Sequence, residues 1–356
     1  MNTNDTHNLV LFAGHYPKQI KTDLTAMADE LGYSLLPASI GGFKSGERFC
    51  ELYPAQKDLF AQNKNDIAGA HVHIVMPMQN DPNQFFVDAL NTITTIKDYG
   101  AENVHVILPF APYARQDRSF DQRFASLMAK TFPKHLKAAG ADQITTFDVH
   151  SRAAEQAYED AFGANNTQFL SAVDILYHGI KSLTKDAHNI AYGAPDGGDK
   201  PDDVAQRKAR RMTQIDYGTN ADPTPNMFFI TKRHKGVNTT EVMKLDGDVT
   251  GKIAVELDDM VDTGGTLING AQALKDNGAE MTIAAFTHPI LSGKSLQKLT
   301  SDTIDGKPNP IDFLIATDSI TNIYNKVSHL SPQQKARIQI IPTTPLIKQA
   351  LTHQFC

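Results

Sequence analysis

The sequence predicts an α/β protein of two domains, each a mostly parallel sheet flanked by helices. Three observations carry that expectation. Short apolar, β-branched-rich runs alternate with segments whose apolar residues recur at helical spacing, which is the pattern of strand–helix–strand units. The alternation runs in two blocks of comparable length over 356 residues, more than one domain of ordinary size. Hydrophobic residues make up 41% of the chain and charged residues 21%, a globular profile with enough apolar side chains for a sizeable core.

Taken in order, strand candidates lie at 9–13, 71–76, 104–108, 143–147, 189–192, 227–231, 253–257, 281–287, 313–316 and 338–341. Amphipathic segments separate them. Ile20, Leu24, Met27 and Leu31 recur at helical spacing. Ala271 and Leu274 do the same after Gly265, and Gly278 is placed to end that helix. The first block closes near the turn-rich Gly163, Ala164, Asn165 and Asn166. The expected domains are therefore 1–166 and 167–356, with the last helix able to pack back on the N-terminal one. An internal duplication fits this pattern, although no residue-level repeat is visible. The polar stretch 196–211 reads as a loop entering a helix, and its basic run of Arg207, Lys208, Arg210 and Arg211 reads as a solvated helix face. A further loop spans 218–226, with Pro223 and Pro225.

Composition excludes several classes of function. The formal net charge is −6, so no global basic field exists to hold a nucleic acid backbone. Phosphate binding has to come from local basic clusters, metal ions or backbone amides. Cys50 and Cys356 are the only cysteines, which is neither a disulfide framework nor a zinc-ligand set. Residues 1–8 are polar and lack the apolar region of a signal peptide. No apolar run approaches the roughly 18 residues of a membrane span. The expectation is a soluble cytoplasmic protein without nucleic acid or membrane partners.

The strongest chemical signal is the segment from Val255 to Thr266. An apolar strand runs into Asp258 and Asp259. Asp262, Thr263, Gly264, Gly265 and Thr266 follow, and a helix begins. Glycines let backbone amides approach a phosphate closely, and the free amides of a helix N-terminus face it. Thr263 and Thr266 add hydroxyl donors. Two carboxylates ahead of such a cradle suit ribose hydroxyls, or a Mg²⁺ carried by the substrate. The second signal is Arg115, Gln116, Asp117 and Arg118, just after a candidate strand. Arginine forks give bidentate, permanently charged contacts to a polyphosphate.

The segment 255–266 resembles the phosphoribosyl-binding loop of type I phosphoribosyltransferases and pyrophosphokinases. The Pro112–Arg118 run resembles the ATP-binding loop of ribose-phosphate pyrophosphokinases, and other landmarks of that family fall in order. Phe43, Gly46 and Glu47 resemble its early Phe-x-x-Gly-Glu segment. Asp148, Val149 and His150 resemble its Asp-Leu-His motif. Pro195, Asp196, Gly197 and Gly198 resemble its Pro-Asp-x-Gly-Gly segment. Thr287, His288, Ser292 and Gly293 match a strand end, and Thr317, Asp318, Ser319 and Ile320 match a turn. The resemblance spans about 11–351. It implies two phosphoribosyltransferase-like domains and the transfer of diphosphate from ATP to ribose 5-phosphate, giving phosphoribosyl pyrophosphate and AMP.

The resemblance also implies roles. Asp258 and Asp259 would hold the ribose hydroxyls, and Asp262 to Thr266 the 5-phosphate. Arg115, Gln116, Asp117 and Arg118 would hold ATP, with Phe43 and Glu47 reaching the adenine from a neighbouring subunit. His150 and Asp196 would bind Mg²⁺. Lys232, Arg233 and His234 would form the catalytic part of a mobile loop. ATP is expected between the domains. A homo-oligomer built on dimers, with hexamers among the family's forms, is expected. The sequence departs from the family at three places. His234 stands where a second arginine is usual, residues 199–203 are inserted, and Ser45 replaces an Asn or Asp. The first two departures motivate an alternative, a regulatory paralogue that assembles with an active enzyme. A phosphoribosyltransferase acting on a nucleobase is a third reading, which leaves the N-terminal landmarks unexplained.

Overall fold

A computed structural model describes residues 7–14, 16–53, 60–79, 81–119, 125–185, 187–194, 204–219, 226–233 and 242–355. The chain divides into two compact units. The first comprises 1–171, 319–322 and 343–356, and the second 172–318 and 323–342.

In the first unit, β1 (Asn8–Phe12), α1 (Lys18–Glu30) and β2 (Ser34–Leu35) are followed by a hairpin of β3 (Ala38–Gly42) and β4 (Arg48–Leu52). Then come α2 (Phe60–Ile67), β5 (His71–Val75), α3 (Pro82–Asp98), β6 (Asn103–Leu108), α4 (Met128–Ala138), β7 (Gln143–Phe147), α5 (Arg152–Phe162) and β8 (Thr167–Leu170). The sheet order is β2-β1-β5-β6-β7-β8, and every pairing is parallel. Helix starts follow local chemistry. Asp81 caps α3 by accepting from the Asn83 and Gln84 amides, with Pro82 in the first turn, and Ser151 caps α5 through the Ala154 amide.

The second unit runs α6 (Val173–Thr184), β9 (Ile190–Ala194), α7 (Val204–Tyr217), β10 (Met227–Arg233), β11 (Val242–Asp246), β12 (Ile253–Val261), α8 (Gly265–Asp276) and β13 (Met281–Pro289). Short elements follow: α9 (Ser295–Leu299), β14 (Thr303–Ile304), β15 (Lys307–Pro308), β16 (Phe313–Thr317), α10 (Ile323–Ser328), α11 (Pro332–Lys335) and β17 (Ile338–Ile341). Its sheet order is β11-β10-β9-β12-β13-β16-β17. Only β11 is antiparallel to its neighbour. The closing helix α12 (Thr344–Thr352) belongs to the first unit, where Lys348 pairs with Glu30 at 2.7 Å and the Tyr33 hydroxyl donates to the Leu351 carbonyl at 2.8 Å.

Central strands are buried on both faces, as parallel sheets covered by helices require. The strand pattern β2-β1-β5-β6-β7-β8 is repeated as β10-β9-β12-β13-β16-β17. The duplication suggested by block length is therefore present in topology. In each sheet the chain winds first to one side of its opening strand and then to the other. The crevices fall between β1 and β5, and between β9 and β12. Ligands in open α/β sheets bind at such points, beyond the strand C-termini. Among the described residues, no helix is long and apolar enough to cross a membrane.

Candidate active site

The crevice of the second sheet lies where β9 and β12 end. Expected to stop at Leu257, β12 instead continues to Val261, pairing in register with β13 through Met260↔His288 and Val261↔Pro289. Asp258 and Asp259 are thus strand residues, not the start of the turn. Strand backbone holds them more rigidly than a loop would. Asp258 is half-buried and Asp259 is buried. The Asp259 amide donates to Asp258 Oδ1 at 2.8 Å. Burial, and then the adjacent Asp259 charge, raise the Asp258 carboxyl well above the ordinary carboxylate range. The Lys208 charge lowers it, by less.

The turn at 262–264 enters α8 through Gly264, which sits in the left-handed region at φ 78°. A Cβ there would stand 2.8 Å from the Leu299 methyls, so glycine answers both backbone and packing. No side chain caps α8 and no acid lies in its first turn. The first amides of α8 and its dipole are left to an anion. The turn is held from behind. The Leu291 and Ser292 amides donate to the Val261 and Asp262 carbonyls at 2.9 and 3.2 Å. Lys326, whose ammonium pKa burial lowers and Asp262 raises, donates to the Ile290 and Leu291 carbonyls at 2.6 and 2.9 Å.

One expectation needs correcting. Lys208, on the helix face read as solvated, is only 3% exposed. It lies on α7 beside the buried Ala209 and Met212, and its ammonium donates to the Asp258 carbonyl at 3.3 Å and to Thr287 Oγ1 at 2.9 Å. The charge-run reading missed it. The available signal was that Lys208 shares the buried stripe with Met212 at i+4. Thr317 Oγ1 donates to the Thr287 carbonyl at 2.6 Å, so the Thr287 and Thr317 landmarks form a buried tie behind the acids.

The first unit carries a second group of expected residues. Arg115, Gln116 and Arg118 are exposed and Asp117 is half-buried, on the turn after β6 that holds Tyr113 at φ 64°. Ser151 donates to Asp117 Oδ2 at 2.5 Å, which ties this turn to the segment carrying the half-buried His150. Arg118 Nε lies 3.8 Å from Asp117 Oδ1. Phe43 stands at the tip of the β3–β4 hairpin, 62% exposed, against Phe49 at 5.1 Å between ring centroids. Glu47 accepts from Ser45 Oγ at 2.8 Å. The backbones of Lys232 and Arg233 end β10, opposite Met243 and Val242. His234, Asp196 and the 199–203 insertion lie outside the described residues.

Comparison with known proteins accords with this geometry. The family model for the N-terminal domain of ribose phosphate pyrophosphokinase matches residues 9–140, and that for the phosphoribosyl synthetase-associated domain matches 193–339. Ribose-phosphate pyrophosphokinase 2 of Enterococcus faecalis is 29% identical over 294 residues, 83% of this chain and 80% of its own. The ribose-phosphate pyrophosphokinase of Aquifex aeolicus is 27% identical over 332 residues, 93% and 92% of the two chains. The crystal structure of phosphoribosylpyrophosphate synthetase from Mycobacterium smegmatis superposes with a TM-score of 0.74 at 24% identity, covering 97% of both chains, so the fold is shared end to end. The chain belongs to the ribose-phosphate pyrophosphokinase family.

Proposed function

We propose that this protein is a ribose-phosphate diphosphokinase, which transfers the β,γ-diphosphoryl group of ATP to the C1 hydroxyl of ribose 5-phosphate. The observation that carries the reading is the uncapped start of α8, set just beyond the half-buried Asp258 and buried Asp259 at the crevice of the second sheet. That arrangement suits a sugar with hydroxyls at one end and a phosphate at the other. Asp258 and Asp259 take the ribose hydroxyls. The amides and hydroxyls of Asp262, Thr263, Gly264, Gly265 and Thr266 take the 5-phosphate. Arg115 and Arg118 suit the polyphosphate of ATP, with Gln116 and Asp117 shaping their turn. Phe43 and Glu47, on an exposed hairpin tip, suit an adenine contact with a second copy of the chain.

The C1 oxygen forms a bond to the β-phosphorus as the bond from that phosphorus to the α-bridging oxygen breaks. The hydroxyl proton is released and AMP leaves with the bonding electrons. Positioning and electrostatic stabilisation supply most of the acceleration in phosphoryl transfer. Lys232, Arg233 and His234 bring positive charge to the leaving oxygen. Mg²⁺ is the cofactor this reading requires. The acid pair beside the sugar favours a cation nearby, and carboxylate and imidazole side chains are donors such an ion can take. His150 and Asp196 would hold the ion with the substrate phosphates, and bound there it would neutralise charge on the transferring group.

The test is AMP release by the purified chain with ATP, Mg²⁺ and ribose 5-phosphate, omitting each in turn. The reading predicts AMP, and not ADP, strictly dependent on all three. ADP formation, or silence in a folded chain that binds ATP, would overturn it.

A further inference from the structure

The first unit holds a cavity of about 530 Å³ at its own crevice, between the C-terminal ends of β1 and β5. None of the residues assigned above lines it. Its floor is Phe12, Ala13 and Gly14 from the end of β1 with Met76 and Pro77 from the end of β5. A Cβ at Gly14 would press on Pro77 and come within 2.6 Å of the Tyr16 ring, so glycine lets this floor close up. Lys21 and Thr25 of α1 form one wall, Ser39, Ile40 and Arg48 of the hairpin another, and Gln84, Phe85 and Asp88 of α3 a third. The volume is in the range of ligand sites.

Because both sheets share one strand order, this cavity occupies the position that carries the acid pair and glycine turn in the second unit. Its chemistry has changed sign at each point that matters. Where α8 starts uncapped, α3 starts on Asp81, whose carboxylate accepts from the Asn83 and Gln84 amides at 2.7 and 3.2 Å. The protein's own carboxylate fills the seat a phosphate would need. Arg48 is already spent on a bidentate pair with Asp88 at 2.7 and 2.8 Å. Lys21 and Arg48 balance Asp81 and Asp88, so the lining is neutral overall. What remains is ring surface from Phe12, Tyr16 and Phe85, and polar side chains. Among the described residues, the side chains of Thr25, Ser39, Gln79 and Gln84 make no intramolecular hydrogen bond.

We propose that this cavity binds an uncharged aromatic heterocycle with hydrogen-bonding edges, a nucleoside, and rejects its phosphorylated forms. Aromatic walls take the base, and carboxamides and hydroxyls pair with its edge and with the sugar. The balanced charges and the filled helix terminus exclude phosphate.

Equilibrium dialysis of the full chain against radiolabelled adenosine, guanosine, cytidine and uridine tests this, with the α,β-methylene analogue of ATP saturating the nucleotide site. At least one nucleoside should bind saturably in the presence of the analogue, and its 5′-monophosphate should compete roughly tenfold more weakly or worse. Ser39→Trp fills the cavity and should weaken that binding at least tenfold, with turnover unchanged. Gln84→Ala, at an exposed helix position, should do so without risk to folding. The proposal is overturned if none of the four binds up to about 1 mM, if the analogue displaces the nucleoside, if the monophosphate binds equally well, or if neither variant changes binding. None of these outcomes bears on AMP production, so failure here is separable from failure of the diphosphokinase reading.

Discussion

Replacing Asp258 with asparagine should remove activity and stabilise the ligand-free protein. The folded state holds the Asp258 carboxyl well above its ordinary range, through burial first and the Asp259 charge second. The folded state therefore binds the proton more tightly than the unfolded chain does. This group's contribution to stability is complete below the unfolded value of about 4, and is lost as pH rises through the raised folded value. Above that raised folded value the wild type carries two like charges side by side. Asparagine keeps the shape and the acceptor for the Asp259 amide while deleting one charge. Two unit charges some 4 Å apart at a partly buried site interact by about 4 kcal/mol before relaxation, and a net gain of roughly 1–2 kcal/mol is expected. In a domain of this size that is a Tm rise of about 2–8 °C. The assay is thermal unfolding of both proteins at pH 5 and pH 8, beside steady-state turnover. Asp258→Asn should melt higher at pH 8, by a smaller margin at pH 5, with turnover reduced about a hundredfold or more. A variant less stable than wild type at pH 8, or a gain equal at both pH values, would refute the electrostatic account of the acid pair.

Lys208→Met should cost about 1–3 kcal/mol by removing two buried hydrogen bonds, to the Asp258 carbonyl and the Thr287 hydroxyl. It should also raise KM for ribose 5-phosphate, because the cation that lowers the Asp258 pKa is gone; thermal melts and kinetics read the two effects. Gly264→Ala should destabilise by about 1–2 kcal/mol from its left-handed backbone alone, with more from the Leu299 contact, and weaken ribose 5-phosphate binding more than ATP binding in calorimetric titrations. His234→Arg should flatten the alkaline limb of the pH–rate profile, since arginine stays charged where an ordinary histidine is neutral above about pH 6.5.

The alternation of elements was legible because buried parallel strands are short apolar runs, and the strands at 143–147 and 338–341 fall on the expected residues. The ends of β12 and β13 were not. Asp258 and Asp259 read as a turn because carboxylates are depleted in strands, yet pairing with β13 carries the strand through them. The β3–β4 hairpin was missed because its glycines and charges show no clean alternation. Lys208 was misread because a basic run is judged by charge, whereas its place is set by which face of α7 the sheet covers. The crevices at β1/β5 and β9/β12 depend on the lateral order of strands, which pairing over long sequence separations decides and local pattern does not encode. The glycine turn and the acid pair themselves were visible, because phosphate cradles demand residue types that few other local structures need.

The most direct test of the central claim follows the phosphorus. ATP labelled at the β-phosphorus, incubated with the purified chain, Mg²⁺ and ribose 5-phosphate, should lose its label to a sugar-bound diphosphate at C1, with unlabelled AMP released in equal amount. Label retained on the nucleotide, whether as ADP or as unreacted ATP, would contradict the assignment.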